Sequence, residues 1–369
     1  MTAAELVAHP WSGLEGLRGA RDAWERVLTE AAVDPLCNAP DWTAAHVEAY
    51  TRSEDVLGWT FATPGGEPIA VVPLRLEPAR GALALRRLTL AADGTQESDY
   101  QDLVARPGSE TAVVRALLDA LAQSGRGDAL LLTCVPDDSP SLAALRAELE
   151  RRGLPRREVP GPCLAAPLPA DFDTYLGGLK PRMRSKVRSA LRRVAEHGAR
   201  RLWCDRPEQL EAHLEGLFAL HTARWEEAGE AGSFAEGRRR SFYRRLMPEL
   251  LAAGRLRFAR LELDGRPVAY QLGALAGDAY YQLQEGYLPE LGELRVATAL
   301  RAGCVEDLIA EGVRRYDFMA GDTRHKRDWG GEPRPCTSVA CALPGLRARL
   351  AYGARSLVDR WKAGRATDA

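Results

Sequence analysis

Three ionisable side chains near the end of an apolar segment could carry acid–base chemistry. Asp317 lies inside a predicted strand at 314–319, Asp322 follows its end, and Lys326 comes four residues later. Because α/β proteins place their chemistry at the carboxyl ends of strands, Asp322 is the first candidate for a general base. Asp317, within the apolar run, is expected to bind backbone amides or an arginine. An ammonium group at Lys326 would stabilise negative charge that develops in a transition state.

A second predicted strand, at 279–287, adds further candidates. Glu285 is the second candidate base, and Tyr281 or Tyr287 could protonate a departing group. His221 lies on a predicted helix one turn before Trp225, so both share a face and either line a pocket or pack in the core. No Ser-His-Asp or Cys-His arrangement has local support, which argues against a covalent intermediate.

The composition is that of a globular protein. The 369 residues are 46% hydrophobic and 27% charged, with 50 basic against 51 acidic side chains, which excludes disorder and a uniformly basic nucleic-acid coat. No apolar run approaches the ~20 residues of a membrane span. The first 11 residues lack the basic start and apolar core of a secretion signal, so we expect a cytoplasmic protein.

The cysteines are odd in number and scattered. The closest pair among the seven, Cys336 and Cys341, has four residues between its members and no nearby histidine. A zinc site or a disulfide framework needs tighter pairing, so we expect reduced, mostly buried thiols and no metal.

The spacing of apolar residues and turn signals predicts two similar halves. In each half a meander of strands leads to a helix and then to another strand, and Gly66-Glu67-Pro68-Ile69-Ala70 resembles Gly265-Arg266-Pro267-Val268-Ala269. A long helix at 172–196, with a possible bend at Pro181, lies between them. The predicted fold is α/β, an α+β mixed sheet, with domains at 1–165 and 166–345. Residues 346–369 are predicted to form a basic helical tail.

Several segments of the second half, in order, resemble the GNAT acyltransferase superfamily. The chain is most similar to its CelD/BcsL-type branch, the cellulose-biosynthesis acetyltransferases, which is related to the FemAB-type aminoacyltransferases. The matching segments are Leu179-Lys180-Pro181-Arg182-Met183-Arg184-Ser185-Lys186, Leu220-His221-Thr222-Ala223-Arg224-Trp225, Leu263-Asp264-Gly265-Arg266-Pro267-Val268-Ala269, Tyr280-Tyr281-Gln282-Leu283-Gln284-Glu285-Gly286-Tyr287, Tyr316-Asp317-Phe318-Met319-Ala320-Gly321-Asp322 and His325-Lys326-Arg327-Asp328-Trp329-Gly330. The resemblance covers about residues 172–330 and implies tandem GNAT-like domains joined by the long basic helix.

The resemblance also implies where each substrate lies. In GNAT enzymes the donor pyrophosphate lies on free amides at the start of the helix after the third strand. Here that turn holds Leu294, Arg295, Val296, Ala297 and Thr298 instead of the usual glycines, and Arg295 could contact phosphate directly. In FemAB-type enzymes an aromatic-Lys-x-x-aromatic-Gly pattern brings a lysine to donor phosphate or to the oxyanion; Lys326 and Trp329 match it, and His325 stands at the first aromatic position. On the acceptor side we expect Lys180, Arg184, His221, Trp225 and Trp329.

A basic segment at 180–206 points to an anionic partner. It holds ten basic and two acidic residues and one aromatic, Trp203. The partner could be a CoA 3′-phosphate, a nucleotide-sugar or lipid-linked acceptor, or tRNA; the scarcity of aromatics argues against single-strand stacking. Lysine is rare in this chain, with Lys180, Lys186, Lys326 and Lys362 as its only examples, which suggests a need for a compact charge where one is kept.

Together these features predict an N- or O-acyltransferase whose second unit carries the reaction. Acyl-CoA would be the donor. A small molecule, sugar, peptide or envelope precursor would supply the attacking amine or hydroxyl, and we expect no DNA partner. One alternative is a FemAB-type peptide ligase that uses aminoacyl-tRNA. The other is a binding module of the same fold without catalysis.

Overall fold

The computed structural model describes residues 6–80, 85–93, 97–227, 232, 234–235, 237–345 and 348, without the side chains of Arg80 and 224–227. It divides into two compact units, one of Met1–Gly161 with the chain from Pro335 onward, and one of Pro162–Arg334. The sequence-based division at 165 and 345 differs in its assignment of the strand Glu332–Ala342. The predicted helical tail at 346–369 lies outside the described residues except for Ala348.

Unit 1 holds a mixed sheet with helices packed on it. Its strands and helices are β1 (Val7–Ser12), α1 (Gly13–Gly19), α2 (Arg21–Leu28), α3 (Pro40–Tyr50), β2 (Val56–Ala62), β3 (Pro68–Arg80), β4 (Leu85–Leu90), β5 (Val104–Ala105), α4 (Glu110–Ser124), β6 (Ala129–Pro136), α5 (Pro140–Arg151) and, from the far end of the chain, β13 (Glu332–Ala342, in this unit from Pro335 onward). The strand order is β1-β2-β3-β4-β6-β13, with β5 on β3. Only the β4–β6 pair is parallel.

Unit 2 has its own sheet and core. Its elements are β7 (Arg156–Pro167, in this unit from Pro162 onward), α6 (Phe172–Gly178), α7 (Pro181–Glu196), β8 (Arg200–Trp203), α8 (Pro207–Glu227), α9 (Gly237–Ala252), β9 (Leu256–Leu263), β10 (Arg266–Ala276), β11 (Ala279–Tyr287), α10 (Val296–Ala310), β12 (Arg315–Ala320) and α11 (Arg324–Asp328). The strand order is β8-β9-β10-β11-β12-β7, and only β11 and β12 are parallel.

The two units share one topology. In each, four antiparallel strands lead through a helix, α4 or α10, to a strand parallel to the fourth, and an antiparallel strand follows at the next position. That last strand is β13 in unit 1 and β7 in unit 2. In the chain, β13 follows α11, the last helix of unit 2, and β7 follows α5, the last helix of unit 1. The predicted mixed α/β fold is confirmed, and the matching order supports its origin by duplication.

The predicted long helix at 172–196 is two helices within unit 2. Pro181 is the first residue of α7, where a missing N–H costs nothing, and the preceding residues are extended. Met183, Val187, Ala190 and Val194 are buried along one face of α7, and the basic side chains occupy the rest. No helix among the described residues is long and apolar enough to cross a membrane.

Candidate functional site

The connection from β11 to α10 creates an anion-binding geometry. A short 3₁₀ turn, Pro289–Leu291, follows β11, and Arg295 then takes a left-handed conformation with φ 57° before Val296 begins α10. The first turn of any α-helix leaves backbone N–H groups without intrahelical acceptors, and the helix dipole adds positive potential there. The start of α10 therefore offers donors to an anion.

A cavity of about 700 Å³ opens at this helix start. We call it the α10 cavity. Its lining combines basic residues, the first turn of α10, a carboxylate and two aromatic rings: Lys186, Glu285, Tyr287, Gly292, Arg295, Val296, Ala297, Thr298, Arg301, Thr323, His325 and Trp329.

Glu285, Arg301 and His325 form one hydrogen-bonded group in this cavity. Arg301 Nη2 donates to Glu285 Oε2 at 2.5 Å, and Arg301 Nη1 contacts His325 Nε2. Because a guanidinium only donates, the ring nitrogen of His325 is the acceptor in this contact. The three residues come from β11, α10 and α11, so the group joins three elements of unit 2.

Arg301 is held by burial as well as by hydrogen bonds. Its side chain is 4% exposed, against 19% for Glu285, and its guanidinium carbon lies 5.3 Å from the ring centre of Trp329 and 5.9 Å from that of Phe318. Burial opposes the charge of Arg301, but its interactions with the Glu285 carboxylate, Tyr316 and Tyr175 together raise its pKa above the ordinary value. The arginine therefore fixes the position of the carboxylate in the cavity.

A second cavity, of about 660 Å³, shares Lys186 and Arg295 with the first. We call it the basic trough. Five of its lining residues are cationic and one is anionic: Lys180, Arg182, Met183, Ser185, Lys186, Arg295, Arg324 and Asp328.

Lys326 and Asp322 lie just beyond the end of β12. Lys326 Nζ donates to the carbonyl oxygens of Met319, at 3.2 Å, and Ala320. Asp322 is exposed and pairs with both guanidinium donors of Arg327, and the hydrogen bond from Arg327 lowers the pKa of its carboxyl. Neither residue is among those that line the α10 cavity.

Tyr281 lies in different surroundings from Glu285, although strict alternation would put both on one face of β11. The pairing of β10 with β11 skips Leu283, because Leu272 faces Gln284 and the next residue, Gly273, faces Gln282. This bulge interrupts the alternation. Tyr281 is fully buried and accepts a hydrogen bond from Arg315 at 3.1 Å, whereas Tyr287 lines the cavity with Glu285.

Asp317 has the surroundings expected from its position within an apolar strand. It is fully buried, accepts from the Met319 N–H at 2.8 Å and from Arg334 Nη1 at 3.1 Å. These contacts hold the end of β12, where Met319 itself has φ 61°.

The residues expected to bind the acceptor are dispersed in unit 2. His221 is buried, with its ring 4.8 Å from that of Phe234, and the side chain of Trp225 lies outside the described part of the chain. Lys180 lines the basic trough, and Arg184 donates to the carbonyl of Gly177. Trp329 is buried and lines the α10 cavity, and its carbonyl accepts from the Tyr175 hydroxyl at 2.8 Å.

The structure thus brings together part of the predicted site and adds residues to it. Of the predicted turn, Arg295, Val296, Ala297 and Thr298 line the α10 cavity, and Leu294 does not. The residues added are Lys186, Gly292, Arg301, Thr323 and His325. Arg301 carried a usable signal: it stands between Leu300 and Ala302 and has no acidic residue three or four positions away on its helix, so its partner had to come from another element.

Part of the chain matches a known protein family. Residues 181–327, less than half of the chain, match the family model of the acetyltransferase (GNAT) domain. No curated protein matches the sequence.

Among solved structures, FemX is similar at 15% identity over 86% of this chain and 95% of its own, with a TM-score of 0.62. A conserved protein of unknown function from Bacteroides thetaiotaomicron shares 12% identity over 88% of this chain and 97% of its own, with a TM-score of 0.58. L-PGS from Bacillus licheniformis shares 13% over 92% and 95%, with a TM-score of 0.54. At these identities the likeness concerns the fold. The segment that holds most of the α10 cavity thus matches a GNAT acetyltransferase domain, while the CelD/BcsL-type branch stays a prediction.

Proposed function

We propose that unit 2 is a cytoplasmic acyltransferase that moves an acyl group from acyl-CoA to an amine or hydroxyl. One observation carries the proposal: the α10 cavity joins a helix start that can hold a diphosphate to a carboxylate that can act as a base. Both parts lie in the segment that matches the GNAT model.

The donor would lie along the start of α10. Backbone N–H groups of Val296, Ala297 and Thr298 would face its diphosphate, and Arg295 and Lys186 would add charge from the side chains. The acyl carbonyl would then extend toward Glu285, which lines the same cavity.

Glu285 is the general base that we propose. It removes a proton from the acceptor amine or hydroxyl, whose lone pair attacks the thioester carbonyl carbon. The tetrahedral intermediate collapses, the C–S bond breaks, and the thiolate takes a proton from Tyr287. The transferred acyl group ends on the acceptor, and no covalent enzyme intermediate forms.

Arg301 and His325 would keep the base in place through their shared contacts. Asp322 is a less suitable base than Glu285, since it is exposed and does not line the α10 cavity. Lys326 would have a structural role in this reaction. Its ammonium group donates hydrogen bonds to two backbone carbonyls at the end of β12 and holds that segment in place.

The basic trough favours a second candidate, a FemAB-type transfer from aminoacyl-tRNA. Five cations beside one carboxylate suit a larger polyanion, and side chains stand at Leu294, Arg295 and Val296 where related acetyltransferases have glycines. The third candidate, a binding module without catalysis, would hold donor in the α10 cavity without turnover.

Donor binding separates these candidates. A thermal-shift screen of acyl-CoAs and of charged tRNA on the full chain should show stabilisation by acyl-CoA, because a ligand that binds the folded state raises its stability by mass action. Stabilisation by charged tRNA alone, lost steeply with salt, would favour the second candidate. Stabilisation by acyl-CoA without transfer to any amine or hydroxyl acceptor would favour the third.

A further inference from the structure

We propose that the basic trough is the subsite for the 3′-phosphate of the CoA donor, so that Arg182 and Arg324 read a group far from the reacting carbonyl. This inference rests on the proposed function, because it takes the diphosphate of the same donor to lie in the α10 cavity. The basic residues at the start of α7 have no other role in the proposed reaction, and the 3′-phosphate would be their ligand.

Among the described residues of unit 2, carboxylates balance only part of the positive charge of the trough. Asp328 is its one carboxylate and lies at the limit of an ion pair from two cations, 3.9 Å from Lys180 Nζ and 3.8 Å from Arg324 Nε. Among the described residues, no carboxylate makes an ion pair with Arg182, Lys186 or Arg295. The trough therefore gathers positive charge in a concave site, where a dianionic phosphate would be favoured.

The two cavities are neighbours through shared residues. Lys186 on α7 and Arg295 at the start of α10 line both of them. A ligand that carries two groups of phosphate charge can therefore place one in each cavity with these two cations between them. CoA has this pattern, a diphosphate and a separate 3′-phosphate on the ribose.

The backbone conformation of Arg295 also favours an anion site here. It is one of five non-glycine residues with positive φ among those described, and a left-handed conformation costs an arginine about 1–2 kcal/mol relative to the usual region. Glycine would adopt it without that cost. Because its side chain lines both cavities, an arginine in this conformation fits a role in holding an anion.

Titration with two ligands tests the assignment. CoA and dephospho-CoA differ only by the 3′-phosphate, so their affinities are measured by calorimetry, at one ionic strength, for the unmodified chain and for Arg182→Ala and Arg324→Ala. Arg188→Ala is the matched control, because Arg188 is an exposed arginine on α7 that lines neither cavity.

We expect CoA to bind the unmodified chain more tightly than dephospho-CoA. Each trough variant should weaken CoA about tenfold, the value of one charge-assisted hydrogen bond, and leave dephospho-CoA unchanged. Arg188→Ala should change neither affinity.

Other outcomes overturn different parts of the account. Equal affinities of the two ligands for the unmodified chain, or trough variants that weaken both ligands alike, would refute the 3′-phosphate subsite and leave the proposed function intact. If neither ligand binds while charged tRNA does, the acyl-CoA donor itself is refuted, and the subsite with it.

Discussion

Arg301 on α10 and Glu285 on β11 form an ion pair with 2.5 Å between Nη2 and Oε2, beneath the ring of Trp329. The pair connects α10 to β11. It also holds the Glu285 carboxylate in the α10 cavity, where the acyl end of the donor would lie. Such a pair adds little to stability as a whole, but loss of one partner leaves the other charge poorly solvated.

Arg301→Met should therefore destabilise unit 2. We expect the free energy of unfolding to fall by about 3–5 kcal/mol, because the substitution leaves Glu285 without its guanidinium partner. Addition of Glu285→Met should restore part of the loss. Chemical denaturation of both variants measures the effect, and a loss below ~1 kcal/mol for the single variant would mean that water satisfies the carboxylate.

Glu285→Gln should abolish most of the transfer while donor binding persists. A positioned general base contributes about 10²–10⁴-fold to the rate, so we expect a fall of that order in kcat with the CoA affinity unchanged. Asp322→Asn is the companion variant and should change kcat by less than about threefold, since its carboxylate pairs with Arg327 at the surface. The opposite ranking of the two variants would make Asp322 the base.

Arg295→Gly should stabilise the fold and weaken donor binding at once. Glycine accepts φ 57° freely and is tolerated before a helix, so the free energy of unfolding should rise by about 1 kcal/mol. The affinity for CoA should fall, because a cation common to both cavities is lost. A glycine variant that binds CoA as well as the unmodified chain would show that the side chain at this position serves no anion.

Unit 1 should respond to pH through a buried carboxyl. Burial raises the pKa of Asp102 from 3.8 to about 7. Between these values the unfolded chain loses the proton and the folded chain keeps it, so stability falls as pH rises, by up to about 4 kcal/mol in total.

Asp102→Asn isolates this effect, because it removes the titration and keeps an oxygen for the Leu103 N–H. Burial also lowers the pKa of His46 from 6.5 to about 3, which makes stability rise with pH between these values. This contribution is the same in the variant and in the unmodified chain, so it cancels when the two are subtracted. We expect the unfolding free energy of the variant, minus that of the unmodified chain, to increase steadily from pH 4 to pH 7. A constant difference would mean that Asp102 is ionised in the folded state throughout this range.

Local patterns predicted the elements of the fold and part of the site. The local pattern predicted a helix that begins near Val296, and the resemblance to GNAT enzymes implied that its first turn binds the donor; three residues of that turn, Val296, Ala297 and Thr298, line the α10 cavity. Pairings between distant segments were beyond such patterns. β13 could pair with any strand that has a free edge. The residues of β13 alone do not show that this strand belongs to unit 1, so the sequence analysis could not assign β13 to its unit.

The directions of individual side chains could not be predicted from local patterns either. The sequence left Tyr281 and Tyr287 as equal candidates, because strict alternation along β11 would put both on the face of Glu285; the bulge at Leu283 interrupts that alternation, and of the two only Tyr287 lines the cavity. The pattern around Lys326 identified the segment after β12. It did not show that the ammonium group turns back to the carbonyls of Met319 and Ala320.

Calorimetric titration of acetyl-CoA into the unmodified chain and into Ala297→Trp measures whether the α10 cavity holds an acyl-CoA donor. Ala297 is half-buried in the first turn of α10 and lines the cavity, so an indole there fills the space and removes no polar group. Ala195→Trp, on the exposed face of α7, is the control. We predict one bound acetyl-CoA per chain in the unmodified protein and the control, and none in Ala297→Trp; undiminished binding by a folded Ala297→Trp would contradict the account.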